Sequence, residues 1–199
     1  MVETQNFASL HNTIMSDKFR NKYRIPTARL QNWDYSDNGY YFITICTKER
    51  KHYFGEIIND KIQLSEIGML AQKYWLEIPK HFPFVELDEF MVMPNHVHGI
   101  VIIRNVVPHV ETQNFASLQQ AKPIKPQNKF GSQSKNLASI IRGFKIGVKK
   151  YATIHGINFF WQSRFYDNII RNEKSFYYIR QYIKDNPMNW ENDRNNNMI

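Results

Sequence analysis

From Gly39 onward apolar and polar positions alternate in GYYFITICTKERK, which puts Tyr41, Ile43, Ile45 and Thr47 on one face of a strand. HYFGEIINDKIQL continues as a strand or hairpin, with Asn59-Asp60 as its turn. The period then lengthens. In SEIGMLAQKYWLEIPK, Ile67, Leu70, Ala71, Tyr74 and Ile78 make one helical stripe, Ser65 is placed as its N-cap and Pro79 stops it. FVELDEFMVMPN and HVHGIVIIRNV read as an antiparallel strand pair around a Pro-Asn turn. NLASIIRGFKIGVKKYA lines up Leu137, Ile140, Ile141, Phe144, Val148 and Tyr151 on a buried helix face. FFWQSRFYDNII is extended, and EKSFYYIRQYIKDN is a last helix ended by Pro187.

Three segments lack a period. Residues 1–14 are expected to be a poorly ordered extension, 108–133 a flexible insertion rich in Pro, Gln, Lys and Asn, and 191–199 a tail. The order β-β-α-β-β-(insertion)-α-β-α within 15–190 predicts an α+β fold, an antiparallel sheet with helices packed on it, of the ferredoxin-like kind.

Composition narrows the partners. The 199 residues are 42% hydrophobic and 15% aromatic, enough for a core, and carry a formal charge of +8. A pI near 9.5 favours a polyanion, nucleic acid first, against the plainer reading of an inert basic surface. One cysteine, Cys46, permits no internal disulfide and no CxxC zinc site, which fits a reducing cytosol. No run approaches the ~20 apolar residues of a membrane span, so the expected location is cytoplasmic with no membrane partner.

The sharpest local chemistry is MPNHVHGIVII. His96 and His98 are two apart on a strand and project the same way, while Val97 enters the opposite face. Two parallel imidazoles can share a divalent cation, although H-x-H on a strand is more often non-metallic. On the last helix Tyr182 and Asn186 are one turn apart, ~6 Å along the axis, beside the stripe Phe176, Ile179 and Ile183. Taken alone they read as an edge tyrosine and a helix terminator. Taken with the histidines they form a site: a metal on His96 and His98, the Asn186 amide oxygen as third ligand and the Tyr182 hydroxyl as nucleophile toward a phosphodiester.

MPNHVHGIV, IIRGFK, FWQSRFYDNIIRNE and YIKDNP, in that order, resemble the REP-associated tyrosine transposases, single-tyrosine relatives of the HUH transposases. The resemblance runs from about Lys18 to Trp190, without the insertion. It implies a ferredoxin-like catalytic domain over 15–190, a divalent metal (Mg or Mn), and cleavage and rejoining of single-stranded DNA at imperfect hairpins through a 5′-phosphotyrosine. By position it makes His96 and His98 metal ligands, Tyr182 the nucleophile and Asn186 the polar ligand one turn on. The chain departs from the pattern at Asn168, where many relatives carry His, and in its long insertion.

Arg142, Lys145, Lys149, Arg164 and Arg171, with the aromatic segment Trp33–Tyr41, are candidate DNA contacts; the alternative for each is an ordinary surface or core role. Monomer and homodimer both stay open. Two other functions compete: a non-catalytic nucleic-acid-binding module with a ferredoxin-like fold, and a small metallohydrolase unrelated to DNA. The second is disfavoured by the basic pI and by the lack of Asp or Glu next to the H-x-H.

VETQNFASL occurs twice, from Val2 and from Val110, with nothing similar around either copy. Exact identity without a constant period is not a structural repeat. The synonymous codons GTA GAG ACG CAA AAT TTT GCG TCT CTA, with one further C, are their own reverse complement. His11 and Gln119 follow the two copies, and both have codons beginning with C. The peptide therefore permits the same palindrome twice. Both nonapeptides are expected to be translated copies of a mobile DNA hairpin, carried where insertions are tolerated; the rival is a peptide with a binding role of its own, such as an arm touching DNA, which its Glu and its lack of Lys or Arg disfavour. Gene codons that break the inverted repeat would sink the hairpin reading.

Overall fold

The strand β1 (Gly39–Cys46) is buried along its whole length, so its alternation separates two apolar faces and not an apolar from a wet one. Tyr41, Ile43 and Ile45 enter one core, and Tyr40 and Phe42 enter another. The computed structural model describes Leu30, residues 33–105 and residues 135–196. The 1–14 extension, the 108–133 insertion and both nonapeptides lie outside the described residues. The fold below is that of the unit 31–199.

β2 (Gly55–Ile58) and β3 (Lys61–Leu64) form a separate hairpin. At its turn Asn59 and Asp60 have φ of 50° and 59°, the left-handed pair that a two-residue turn requires. α1 (Glu66–Leu76) begins on Ser65, whose side chain accepts from the Gly68 backbone N–H. The expected stop at Pro79 takes a different form. α1 ends at Leu76, and Pro79 lies in the first turn of a short α2 (Ile78–His81), where its missing N–H costs nothing. The α1 stripe also shifts: Ile67, Ala71 and Trp75 are fully buried, whereas Leu70 and Tyr74 are half-buried.

β4 (Val85–Met93) and β5 (His96–Ile103) pair antiparallel around Pro94-Asn95 as expected. α3 (Leu137–Ile154) is capped by Asn136 and Ser139 in a reciprocal box. Its stripe ends on Ala152, and Tyr151 stays at the rim and donates to Glu66 Oε1. β6 (Tyr166–Ile170) and α4 (Glu173–Asp185) complete the unit.

The main sheet has the order β4-β5-β1-β6, and every neighbouring pair is antiparallel. Taken in chain order, its four strands lie 4-1-3-2, the arrangement of a ferredoxin-like β-α-β-β-α-β unit. α1 and α3 cover one face, where Trp75 and Phe144 meet Val97, Val101 and Ile103. Gly99 belongs to this face, and a Cβ there would come within 2.3 Å of the Trp75 ring. α4 covers the other face, with Ile183, Phe176 and Ile179 against Tyr40, Phe42, Ile100 and Ile102. Arg180 to Asp88 at 2.8 Å and Lys184 to Glu89 at 3.4 Å tie α4 to β4. No helix among the described residues is long and apolar enough to cross a membrane.

Candidate active site

The turn that starts β5 sets the two histidines. Pairing aligns Met91, His98, Thr44 and Tyr166 in one row across the sheet, and Met93, His96 and Cys46 in the next. Both imidazoles face α4, 4.3 Å apart between ring centroids, and both are fully buried. His96 Nδ1 lies 2.8 Å from Asn95 Oδ1. An amide oxygen can only accept, so Nδ1 carries the hydrogen and Nε2 keeps a lone pair. Asn95 is oriented by its own donations to the Asn195 and Arg50 carbonyls, at 2.7 and 3.1 Å. His96 Nε2 has no hydrogen-bond partner although it is buried.

His98 Nδ1 is 2.9 Å from Thr44 Oγ1, and its Nε2 is 3.3 Å from the Tyr182 hydroxyl. Tyr182 reaches it from α4 with its ring edge-on to Phe42, 6.1 Å between centroids. One turn on, Asn186 does cap the helix, its N–H bonded to the Ile183 carbonyl at 3.4 Å. It does more than terminate. Its side chain is buried, Nδ2 donates to Asp193 Oδ2 at 2.7 Å, and Oδ1 has no partner.

Asp193 is the residue that sequence reasoning missed. After a 3-10 turn at Trp190–Asn192 the chain folds back and buries Asp193 and Asn195 beside the histidines. Asp193 Oδ1 accepts from the Asn195 N–H at 2.6 Å. One ligand atom each from His96, His98 and Asp193 lies within 4.8 Å of the others. Nothing local marks Asp193 in the polar string ENDRNNNMI, because its role arises only where that string ends up.

Burial dominates the electrostatics. It lowers the His96 imidazole to about 3, with the Arg50 charge adding to it. Burial and then the neighbouring His96 hold His98 well below the ordinary histidine range. Both rings are thus neutral, the form that ligates metal. Burial raises the Tyr182 phenol to about 12, with Asp193 adding, while Arg194 and Asn186 pull it back. Two buried lone-pair acceptors without donors, His96 Nε2 and Asn186 Oδ1, beside a carboxylate and a second imidazole are a donor set suited to a divalent cation.

The basic candidates spread more widely. Lys145 and Lys149 on α3 clasp the extended segment that follows it, donating to the Gln162 and Phe159 carbonyls at 2.5 and 2.6 Å. Lys149 also lies 4.0 Å from the centre of the exposed Phe160 ring. Arg142 on α3, Arg164 and Arg171 are exposed, and Asn168 sits on β6 opposite Phe42. Trp33 and Tyr35 pack against the α1/α3 core, and the Trp33 indole donates to the Tyr41 hydroxyl at 3.1 Å.

No protein-family model matches the chain. A Haemophilus influenzae protein of uncharacterized function is 40% identical over 167 residues, which is 83% of this chain and 89% of that one. The fold is shared with a REP-associated tyrosine transposase whose structure holds a REP hairpin. The TM-score is 0.52 at 19% identity, covering 83% of this chain and 74% of the transposase.

Proposed function

From a chain that belongs to one family with the Haemophilus influenzae protein and has the fold of a REP-associated tyrosine transposase, we propose a metal-dependent DNA strand transferase with a tyrosine nucleophile. The observation that carries this is the Tyr182 hydroxyl at 3.3 Å from His98 Nε2, beside two orphaned buried acceptors and a carboxylate. His96, His98 and Asp193, with the Asn186 amide oxygen, would hold the metal, Mg or Mn. When bound, it supplies positive charge that polarises a phosphodiester and favours the phenolate.

The chain's own residues do the rest. Asn95 fixes the His96 tautomer, and Thr44 orients His98. With its phenol at about 12, Tyr182 is almost wholly protonated at neutral pH, so the resting nucleophile is masked. In the reaction its oxygen bonds to phosphorus, the bond from phosphorus to the 3′ oxygen breaks, the phenolic proton is released and the departing oxygen takes one up. The product is a 5′-phosphotyrosine and a free 3′-OH, whose reversal rejoins the strand.

Single-stranded DNA that forms hairpins is the proposed substrate, since the structural neighbour was solved on a REP hairpin and both nonapeptides permit a palindrome. The competing binding module has less support, because the central strands β1 and β5 of the face that would stack bases are covered by α4, which leaves only the β6 edge open. The test is incubation with an oligonucleotide spelling the palindrome plus flanks, with Mg or Mn, on a denaturing gel. A covalent band that disappears with chelator and in Tyr182→Phe is expected. Salt-sensitive binding without any band favours the module.

A further inference from the structure

We propose that Tyr166 and Arg194 form the seat for an unpaired base next to the scissile phosphate. This rests on the strand-transfer reading and gives it a nucleotide-binding element. Register places Tyr166 in the row of Thr44 and His98, on the same sheet face as the histidines. Among the described residues β6 is the edge strand of its sheet, and Tyr166 is 44% exposed. The Phe42 ring links it to Tyr182: Phe42 is edge-on to Tyr166 at 6.4 Å and to Tyr182 at 6.1 Å.

The Arg194 guanidinium lies 5.5 Å from the centre of the Tyr166 ring. Its neighbours in sequence, Asp193 and Asn195, are buried and hydrogen-bonded, so the backbone is pinned while the side chain stays exposed. Its neighbour Asp193 places a ligand atom within 4.8 Å of those of His96 and His98, which puts Arg194 beside the histidine pair.

A half-exposed phenol ring and the guanidinium lying over it are two kinds of surface on which proteins stack unpaired bases, and the guanidinium also offers N–H groups to a phosphate. A phosphate at Tyr182 leaves its neighbouring base within reach of that pair. Bases inside a duplex hide their faces, so such a seat selects single-stranded nucleotides and tolerates any base.

The cleavage position is first mapped from the wild-type covalent adduct. 2-Aminopurine is then placed on either side of it, and fluorescence is read in the Tyr182→Phe background. Stacking should quench one position, Tyr166→Leu should remove the quench, and Tyr166→Phe should keep it. Tyr166→Leu should also weaken binding of the single strand about five- to hundredfold, and an abasic nucleotide at that position should cost it nothing further. Unchanged quenching in Tyr166→Leu, or an equal abasic penalty with and without Tyr166, overturns the proposal. Failure of the wild type to form an adduct removes the strand-transfer reading and this seat with it; an adduct with unaltered fluorescence removes the seat alone.

Discussion

Asn95 shows how one side chain sets the chemistry of another: its oxygen fixes the His96 tautomer while its nitrogen holds the returning chain at Asn195. Asn95→Ala should lower manganese affinity about 10–100-fold, measured by titration calorimetry, because the His96 ring loses its orientation. Unaltered affinity would mean that His96 is not a ligand. Cys46 gives a pH prediction. Burial raises its thiol, with Arg50 partly opposing. A thiol raised in the folded state contributes stability that is complete below the unfolded thiol's range, about 8.5, and is lost as pH climbs through the folded value. Alkylation by iodoacetamide at about pH 8.5 should therefore be slow in the native protein and fast in denaturant. Reaction at the rate of a free cysteine would contradict the buried geometry. At this scale His96, His98, Tyr182 and Asn186 were legible because spacings of two on a strand and four on a helix are local facts. Asp193 and Arg194 were not, since no periodic element carries them.

At the scale of elements, the position of α4 decides whether Tyr182 meets His98, and Ile183 is its fully buried anchor. Ile183→Ala should cost about 2–5 kcal/mol in chemical denaturation and, on the proposed reaction, should also slow adduct formation, by loosening the helix that carries Tyr182. Activity untouched by such a loss would show that the helix is held by other contacts. Gly99→Ala tests the opposite face, where the new methyl meets Trp75 and Phe90. Overpacking of about 1–3 kcal/mol should appear as a lower melting temperature. Hairpin turn, caps and strand pairs followed from short-range rules. The stripes held at Ile67, Ala71 and Ile78 and from Leu137 through Val148; at one position in each helix Trp75 and Ala152 are buried in place of Tyr74 and Tyr151, because the packing partner and not the helix alone selects the last contact.

Within the unit 31–199 a sheet covered on both faces meets the segment after the last helix, which returns Asp193 and Asn195 to the histidines. Cutting after Asn189 removes Asp193 and the Asn195 clasp. Manganese affinity should then fall by more than the ~10–100-fold expected for a lost outer partner, with the far-UV spectrum retained. Full affinity in the shortened chain would exclude Asp193 as a ligand. With a charge of +8, DNA binding should weaken steeply between about 50 and 200 mM salt, read by anisotropy.

Strand and helix periods along the chain located the main strands and helices and the α+β class, put His96 and His98 on one strand face and set Tyr182 one turn before Asn186, because such spacings lie within one element; α2 was not among them. Packing of distant segments laid α4 across the histidine face, set Lys145 and Lys149 on a backbone segment, and brought Asp193 beside the histidines and Arg194 over Tyr166. Those facts come from burying surfaces far apart in sequence, and no local pattern encodes which surfaces will meet.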